Sequence, residues 1–195
     1  MSRLMRTSEI EGRPVVTYQG EDVAQVKDVV FAAAGGRVGG FTLAGRGLFA
    51  GPRKEALAWE SVAALGAEAV MVESQDVLEA RDAVLEKSAR SGGSGGDVLG
   101  SRVLTDSGTE LGTVVDVVVQ VADDSSSCEV VGYEIAAAEA LESKGKRLLI
   151  PLPSTISASQ EYLVVPDGAR DFVGNDLAGF GAAVEAFRRG LEGGA

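Results

Sequence analysis

The hydrophobic residues of the chain fall mainly in short runs, separated by turns rich in glycine and acidic residues. Such runs, rich in valine and interleaved with polar positions, are typical of β-strands. The pattern predicts strands at residues 15–17, 24–31, 37–43, 56–59 and 69–73 in the first half, and at 102–105, 110–121, 129–136, 147–151 and 162–165 in the second. The chain is therefore expected to be mainly β.

Two segments instead have the three- and four-residue spacing of amphipathic helices. Residues 75–89 place Val77, Leu78, Ala80, Val84 and Leu85 roughly on one face, and the glycine- and serine-rich residues 91–96 that follow predict a flexible tether. Residues 175–191 place Leu177, Phe180, Val184, Phe187 and Leu191 on one stripe. This second stripe either packs on the preceding strands or forms a dimer contact.

The strand pattern occurs twice. At an offset of 88 the chain matches itself at Gly20 with Gly108, Val26 with Val114, Asp28 with Asp116, Val29 with Val117 and Val30 with Val118. Four extra residues then lie in a polar turn of the second copy, after which Gly40-Phe41 matches Gly132-Tyr133. An insertion confined to a turn is what a structural repeat should show.

The repeat predicts two small β-barrels in tandem, since closure of a small sheet protects its strand edges. We expect a first barrel at 1–74, a helix and linker at 75–96, a second barrel at 97–170 and a C-terminal helix and tail at 171–195. The glycine and serine tether between the barrels predicts that the two halves are separable domains.

Charge differs between the halves. The formal net charge is −11, and residues 1–91 carry 11 basic and 13 acidic residues against 7 and 16 in residues 92–195. This acidity disfavours direct binding to nucleic acid. No apolar run reaches the ~18–20 residues of a membrane span, so we expect no transmembrane segment.

The residue types that most catalysis and metal binding use are scarce. The chain has no histidine, which excludes Ser-His-Asp catalysis and histidine-ligated metals. Cys128 is the only cysteine and lies among carboxylates, which weaken a thiol nucleophile, so we interpret it as structural. Asp28 and Asp116 could be ligands or an acid–base pair, but one per barrel favours strand aspartates that accept backbone N–H bonds.

The ordered series Ile10-x-Gly12, Gly20, Val26-x-Asp28-Val29-Val30 and Gly40-Phe41-x-Leu43 resembles the PRC-barrel family, as does the stretch from Trp59 to Val72. The family includes the cytoplasmic domain of the photosynthetic reaction-centre H subunit and the C-terminal domain of the ribosome maturation factor RimM. The resemblance covers residues 4–73 well and 97–166 more loosely. It implies a six-stranded, partly open barrel used for protein contacts, without shared catalytic residues.

One loop offers a specific candidate surface. Residues 44–55 join two predicted strands through more residues than a turn needs, and they carry two large apolar and three cationic side chains: Arg46, Leu48, Phe49, Arg53 and Lys54. An apolar tip ringed by cations suits docking to an acidic protein or a membrane face. Alternatively, Leu48 and Phe49 plug one end of the barrel.

The leading functional interpretation is a noncatalytic, cytoplasmic adaptor or assembly protein without a cofactor, which docks to protein partners. A homodimer and peripheral association with a membrane complex are compatible with it. Two alternatives stay open: a ribosome or RNA-processing maturation factor that binds a basic ribosomal protein, and a ligand carrier or enzyme that uses a barrel cavity.

Overall fold

The computed structural model describes residues 2–32, 36–47, 50–90, 98–142, 144–152, 157–158 and 161–192. Its strands in the first half are β1 (Arg3–Arg6), β2 (Pro14–Thr17), β3 (Asp22–Phe31), β4 (Val38–Ala44), β5 (Pro52–Ala58), β6 (Ala64–Leu65), β7 (Val70–Val72) and β8 (Glu79–Ala80), followed by helix α1 (Arg81–Arg90). The second half contains β9 (Arg102–Thr105), β10 (Glu110–Val121), β11 (Cys128–Ala137), β12 (Arg147–Pro151), β13 (Ser157–Ala158), β14 (Tyr162–Val165) and helix α2 (Leu177–Glu192). The mainly β prediction is confirmed.

The strands form two sheets with corresponding order. The first runs β6-β7-β2-β3-β4-β5-β8, and the second runs β13-β14-β9-β10-β11-β12, with β1 also paired to β10. Each sheet contains one parallel pairing at the same place: β7 pairs with β2, with Val70 opposite Val15, and β14 pairs with β9, with Leu163 opposite Val103. The predicted repeat thus corresponds to matching strand pairings.

Glycine supports the repeat at its turns. Gly12 and Gly20 both have φ of +84°, and so do Gly100 and Gly108, their counterparts at the offset of 88. Positive φ is a conformation that glycine adopts without a steric penalty. The turns that flank β2 and β9 are therefore built in the same way.

The chain divides into two compact units whose membership does not follow the sequence halves. The first unit comprises Met1–Arg3, Thr7–Ser94 and Val121–Glu129, and the second comprises Leu4–Arg6, Gly95–Gln120 and Val130–Ala195. Most of β1 therefore belongs to the second unit, and the turn between β10 and β11 belongs to the first. The domain bounds and the separability expected from the sequence stay predictions, and the tether at 91–96 lies outside the described residues.

The core of the first unit takes consecutive residues from its strands, such as Ala56, Leu57 and Ala58 of β5. Phe41 and Leu57 are fully buried, and the Phe41 ring meets the Trp59 ring edge-on at 5.9 Å. Helix α1 adds Val84, which packs against Ala56 and Ala58 of β5.

Helix α1 is shorter than the pattern at 75–89 predicted. Residues Gln75–Val77 form a 3-10 turn, and β8 follows because Glu79 and Ala80 pair with β5. The backbone of that segment is used in the sheet, so the helix begins only at Arg81. Leu85, predicted to lie on the buried face, is exposed.

The core of the second unit includes the C-terminal helix. Phe180 and Val184 of α2 pack against Val118, Val131 and Leu149, one from each of β10, β11 and β12. The apolar stripe thus packs on the sheet, the first of the two predicted alternatives, although Leu191 at its end is exposed. Neither helix has the length and apolarity that crossing a lipid bilayer requires, within the ranges that the structure describes.

Candidate docking surface

The predicted docking loop is the end of the β4–β5 hairpin. Ala44 pairs with Pro52, and the Gly45 amide donates to the Gly51 carbonyl at 3.1 Å. The strand predicted to start at residue 56 therefore starts four residues earlier. Arg53 and Lys54 consequently lie on a paired strand and not in a loop, which fixes their backbone relative to β4.

Leu48 and Phe49, the apolar part of the predicted surface, lie outside the described residues. The choice between docking and plugging the barrel is therefore open. The described part of the candidate surface consists of Arg46, Arg53 and Lys54, which we call the cationic hairpin end.

Arg46 is exposed and forms an ion pair with Asp22, the first residue of β3. The Arg46 side chain stays more than half exposed, whereas the Asp22 side chain is only 25% exposed. Strand β3 pairs with β4, and this pairing places the carboxylate of Asp22 next to Arg46 at the end of the hairpin. An exposed pair of this kind contributes little to stability but reduces the local positive charge.

Arg53 is the most enclosed of the three cations. Its Nε donates to Glu55 at 3.2 Å, and an Nη atom donates to the carbonyl of Val23 on β3. The hydrogen bond from Arg53 lowers the pKa of Glu55, and the charge of Arg53 acts in the same direction. Arg53 therefore joins β3 to β5, which gives it a structural role beside any role in binding.

Lys54 is exposed on β5. Three cations and two carboxylates, Asp22 and Glu55, leave the hairpin end with one net positive charge. The sequence pattern identified the cations but not the carboxylate of Asp22, which reaches Arg46 because β3 pairs with β4.

The two equivalent aspartates have different environments. Asp28 follows a β-bulge, accepts the Thr42 hydroxyl at 2.7 Å and has a side chain that is 55% exposed. Asp116 is buried and accepts the backbone N–H of Val117 at 2.8 Å, which agrees with the role predicted for both residues. In the described part of the chain, no three His, Cys, Asp or Glu side chains gather as metal ligands would.

Cys128 is buried at the start of β11. Burial, and secondarily the charge of Glu129, raises the pKa of its thiol to about 12. A thiol so rarely ionised near neutral pH is a poor nucleophile, which agrees with the structural interpretation.

One polar group was not found from the sequence. Glu134 of β11 is buried, and its carboxylate lies 3.1 Å from Arg6 of β1 and 3.6 Å from Arg147 of β12. Its counterpart in the repeat is Thr42, so the alignment of the two copies gives no signal for it. A buried carboxylate between two arginines fixes the N-terminal strand to the second sheet, since removal of either cation would leave charge buried.

Comparison with protein families adds one finding. The family model of the PRC-barrel domain matches residues 3–78. The matched segment runs from β1 through β7, and so includes both strands of the hairpin end. No curated protein matches the chain.

Proposed function

We propose that the protein is a noncatalytic adaptor that docks to protein partners, since the family model of the PRC-barrel domain matches residues 3–78. PRC-barrel domains are generally not enzymes. Support for this proposal comes from the cationic hairpin end, where Lys54 lies on the paired strand β5 and Arg46 lies in the connection between β4 and β5. A rigid support lowers the entropy that a partner must remove on binding.

The distribution of charge supports two different contacts. The first 91 residues are almost neutral and display the cationic hairpin end, whereas residues 92–195 carry nine more acidic than basic residues. We propose that an acidic protein surface binds the hairpin end and that the second unit, a further PRC-like barrel, suits a basic protein. Such complementary charges govern association rate and partner choice more than affinity.

The proposed setting is the cytoplasm, as a soluble partner of larger assemblies. A homodimer or peripheral contact with a membrane complex would use the same surfaces. Direct contact with nucleic acid is disfavoured by the net charge of −11.

A matched pair of variants tests the hairpin end. Arg46→Gln with Lys54→Gln removes two cations from it, and Lys144→Gln with Lys146→Gln removes two exposed cations from the second unit. Arg53 is left unchanged because it joins β3 to β5. Partners captured by the wild-type chain would be identified by mass spectrometry, and their affinities for each variant would then be measured with purified proteins.

We expect the first variant to bind an acidic partner about 2- to 30-fold more weakly at low salt, with the difference shrinking as salt is raised. The second variant should bind as the wild type does. Equal affinity in all three proteins would reject the hairpin end as the docking surface. Loss of the partner after nuclease treatment would favour the maturation-factor alternative.

A further inference from the structure

The longest strand of each copy, β3 in the first and β10 in the second, differs from its counterpart in what lies along one edge. Each begins beside the preceding strand, since β2 pairs with β3 as far as Gln25 and β9 pairs with β10 as far as Thr113. Each also pairs with the following strand, β4 or β11. Farther along each strand, the edge that β2 or β9 covers at the start is no longer paired with that strand, and the two units differ in what lies there.

In the second unit that edge is occupied, because β1 pairs with β10. Met5 of β1 is buried, and Leu4 packs against the cluster that contains Val118. Arg6 binds the buried carboxylate of Glu134. An extended segment with the sequence Arg-Leu-Met-Arg therefore completes the sheet through its backbone, its apolar side chains and one cation.

The receiving strand is buried by β1 together with helix α2, since Val118 packs against Phe180 and Val184 as well as against Leu4. Val117, Val118 and Val119 are each no more than 1% exposed. Their counterparts at the offset of 88 are Val29, Val30 and Phe31, and these three are only half-buried. Half-exposed apolar side chains on a strand mark a surface that gains from being covered.

The edge of β3 is open within the described residues, where β3 pairs with no strand other than β2 and β4. The Asp28 amide donates to the Thr42 hydroxyl on β4. Because successive amides of a strand point to opposite edges, the Val29 amide points to the open edge. An unpaired strand edge is a template for a further strand.

The repeat also shows which segment of the chain corresponds to β1. Residues at the offset of 88 are Ser91-Gly92-Gly93-Ser94, which lie outside the described residues. They include no counterpart of the apolar Leu4 and Met5 or of the cationic Arg6. Among the residues that the structure describes, β1 is thus the one strand of this kind for two equivalent edges.

We propose that the open edge of β3, from Lys27 to Phe31, binds an extended segment of a partner protein by strand addition. The segment would resemble β1, with apolar side chains that cover Val29, Val30 and Phe31 and a cation directed to the exposed carboxylate of Asp28. This inference deepens the proposed adaptor function and names a surface separate from the cationic hairpin end.

The probe is a fluorescently labelled peptide with the sequence of residues 2–8, Ser-Arg-Leu-Met-Arg-Thr-Ser, titrated against the full chain. The variant Val29→Pro removes the amide at the open edge, and Val29→Ala is its matched control because it keeps the amide and shortens the side chain. Fluorescence anisotropy gives the affinities, and hydrogen exchange locates the amides that the peptide protects.

We expect the wild type and Val29→Ala to bind the peptide and Val29→Pro to bind it at least about tenfold more weakly, the equivalent of one lost hydrogen bond near the upper end of its range. Protection should appear at residues 27–31. Two further peptides, N-methylated at Arg3 and Met5 or at Leu4 and Arg6, test the same hydrogen bonds on the unmodified chain, so a poorly folded proline variant does not decide the matter. One of these two peptides should lose binding.

Absence of binding by the wild type, equal affinity of both methylated peptides, or protection confined to β10 would overturn the proposal. Sedimentation of the free chain distinguishes a second copy as the occupant: self-association that Val29→Pro abolishes would overturn the assignment to a partner segment. None of these results would change the outcome of the charge variants, so failure here and failure of the adaptor function remain distinguishable.

Discussion

Each of the two helices packs a side chain over a glycine of its sheet, but the helices differ in how many apolar side chains they bury. A glycine of the central strands leaves room for a helix side chain in both units, and that side chain is Ser88 over Gly39 in the first and Phe180 over Gly132 in the second. Helix α1 then adds only Val84 to the core, whereas α2 adds Phe180, Val184 and Phe187. The two glycines are not counterparts in the repeat, since Gly132 corresponds to Gly40, and the two helices differ in how much of the core of their unit they supply.

The largest difference should appear when the buried helix side chains are shortened. Phe180→Ala should lower the free energy of unfolding by about 3–5 kcal/mol, because it empties a fully buried site. Its matched counterpart, Val84→Ala, removes the equivalent of two methylene groups and should cost about 1–2 kcal/mol. Urea unfolding at one pH measures both. Equal losses would show that the two helix side chains contribute similarly to the free energy of unfolding.

A smaller effect is expected from filling the glycine sites. A Cβ atom at Gly132 would lie 2.6 Å from the carbonyl oxygen of Ile150 and still closer to the Phe180 ring. Gly132→Ala should therefore cost about 1–3 kcal/mol through overpacking against backbone. At Gly39 the nearest atom is the Ser88 hydroxyl, which can rotate away, so Gly39→Ala should cost less. A larger loss at Gly39 in thermal unfolding would contradict this ranking.

The smallest effect concerns the ion pairs of α1. Lys87 lies 2.7 Å from Glu79 and 3.2 Å from Glu60, and its hydrogen bond to Glu79, followed by that to Glu60, raises its pKa. A raised pKa means that the contribution is present at neutral pH and is lost as the pH rises above the ordinary value of 10.5. Lys87→Gln should lower the unfolding midpoint less than Val84→Ala. The difference from the wild type should shrink above that pH and at high salt, and a constant difference would rule out the ion pairs as its cause.

Much of the fold could be predicted from the sequence where the signals are local. The bounds of β9, β10, β12 and β14 agree with the prediction at both ends, because alternating valines and leucines end at clear turn residues such as Asp106-Ser107-Gly108. The repeat helped as well, since each copy checks the strands of the other.

The missed elements depend on distant pairing. Strand β1 has only four residues and becomes a strand by pairing with β10, which lies far along the chain. Strand β8 disrupts a plausible helical pattern because β5 accepts it as a neighbour. Helical spacing alone carries no information about either partner.

The candidate site was predicted in composition but not in structure. Its residues Arg46, Arg53 and Lys54 were identified as cations in a loop, but the pairing of Ala44 with Pro52 places the last two on a strand. The neutralising carboxylate of Asp22 comes from another strand, so it could be found only from the sheet. The open edge of β3 was missed for the same reason, because an edge is a property of neighbours.

The membership of β1 in the second unit has a consequence for synthesis on the ribosome. Translation produces the N-terminus first, yet the partner strand of β1 begins only at Glu110, about a hundred residues later. Until then Leu4, Met5 and Arg6 have no β10 to pair with, and the first unit equally lacks its segment Val121–Glu129. Neither unit can therefore reach its final form before most of the polypeptide has left the exit tunnel, which makes maturation a late, concerted event in the life of the nascent chain.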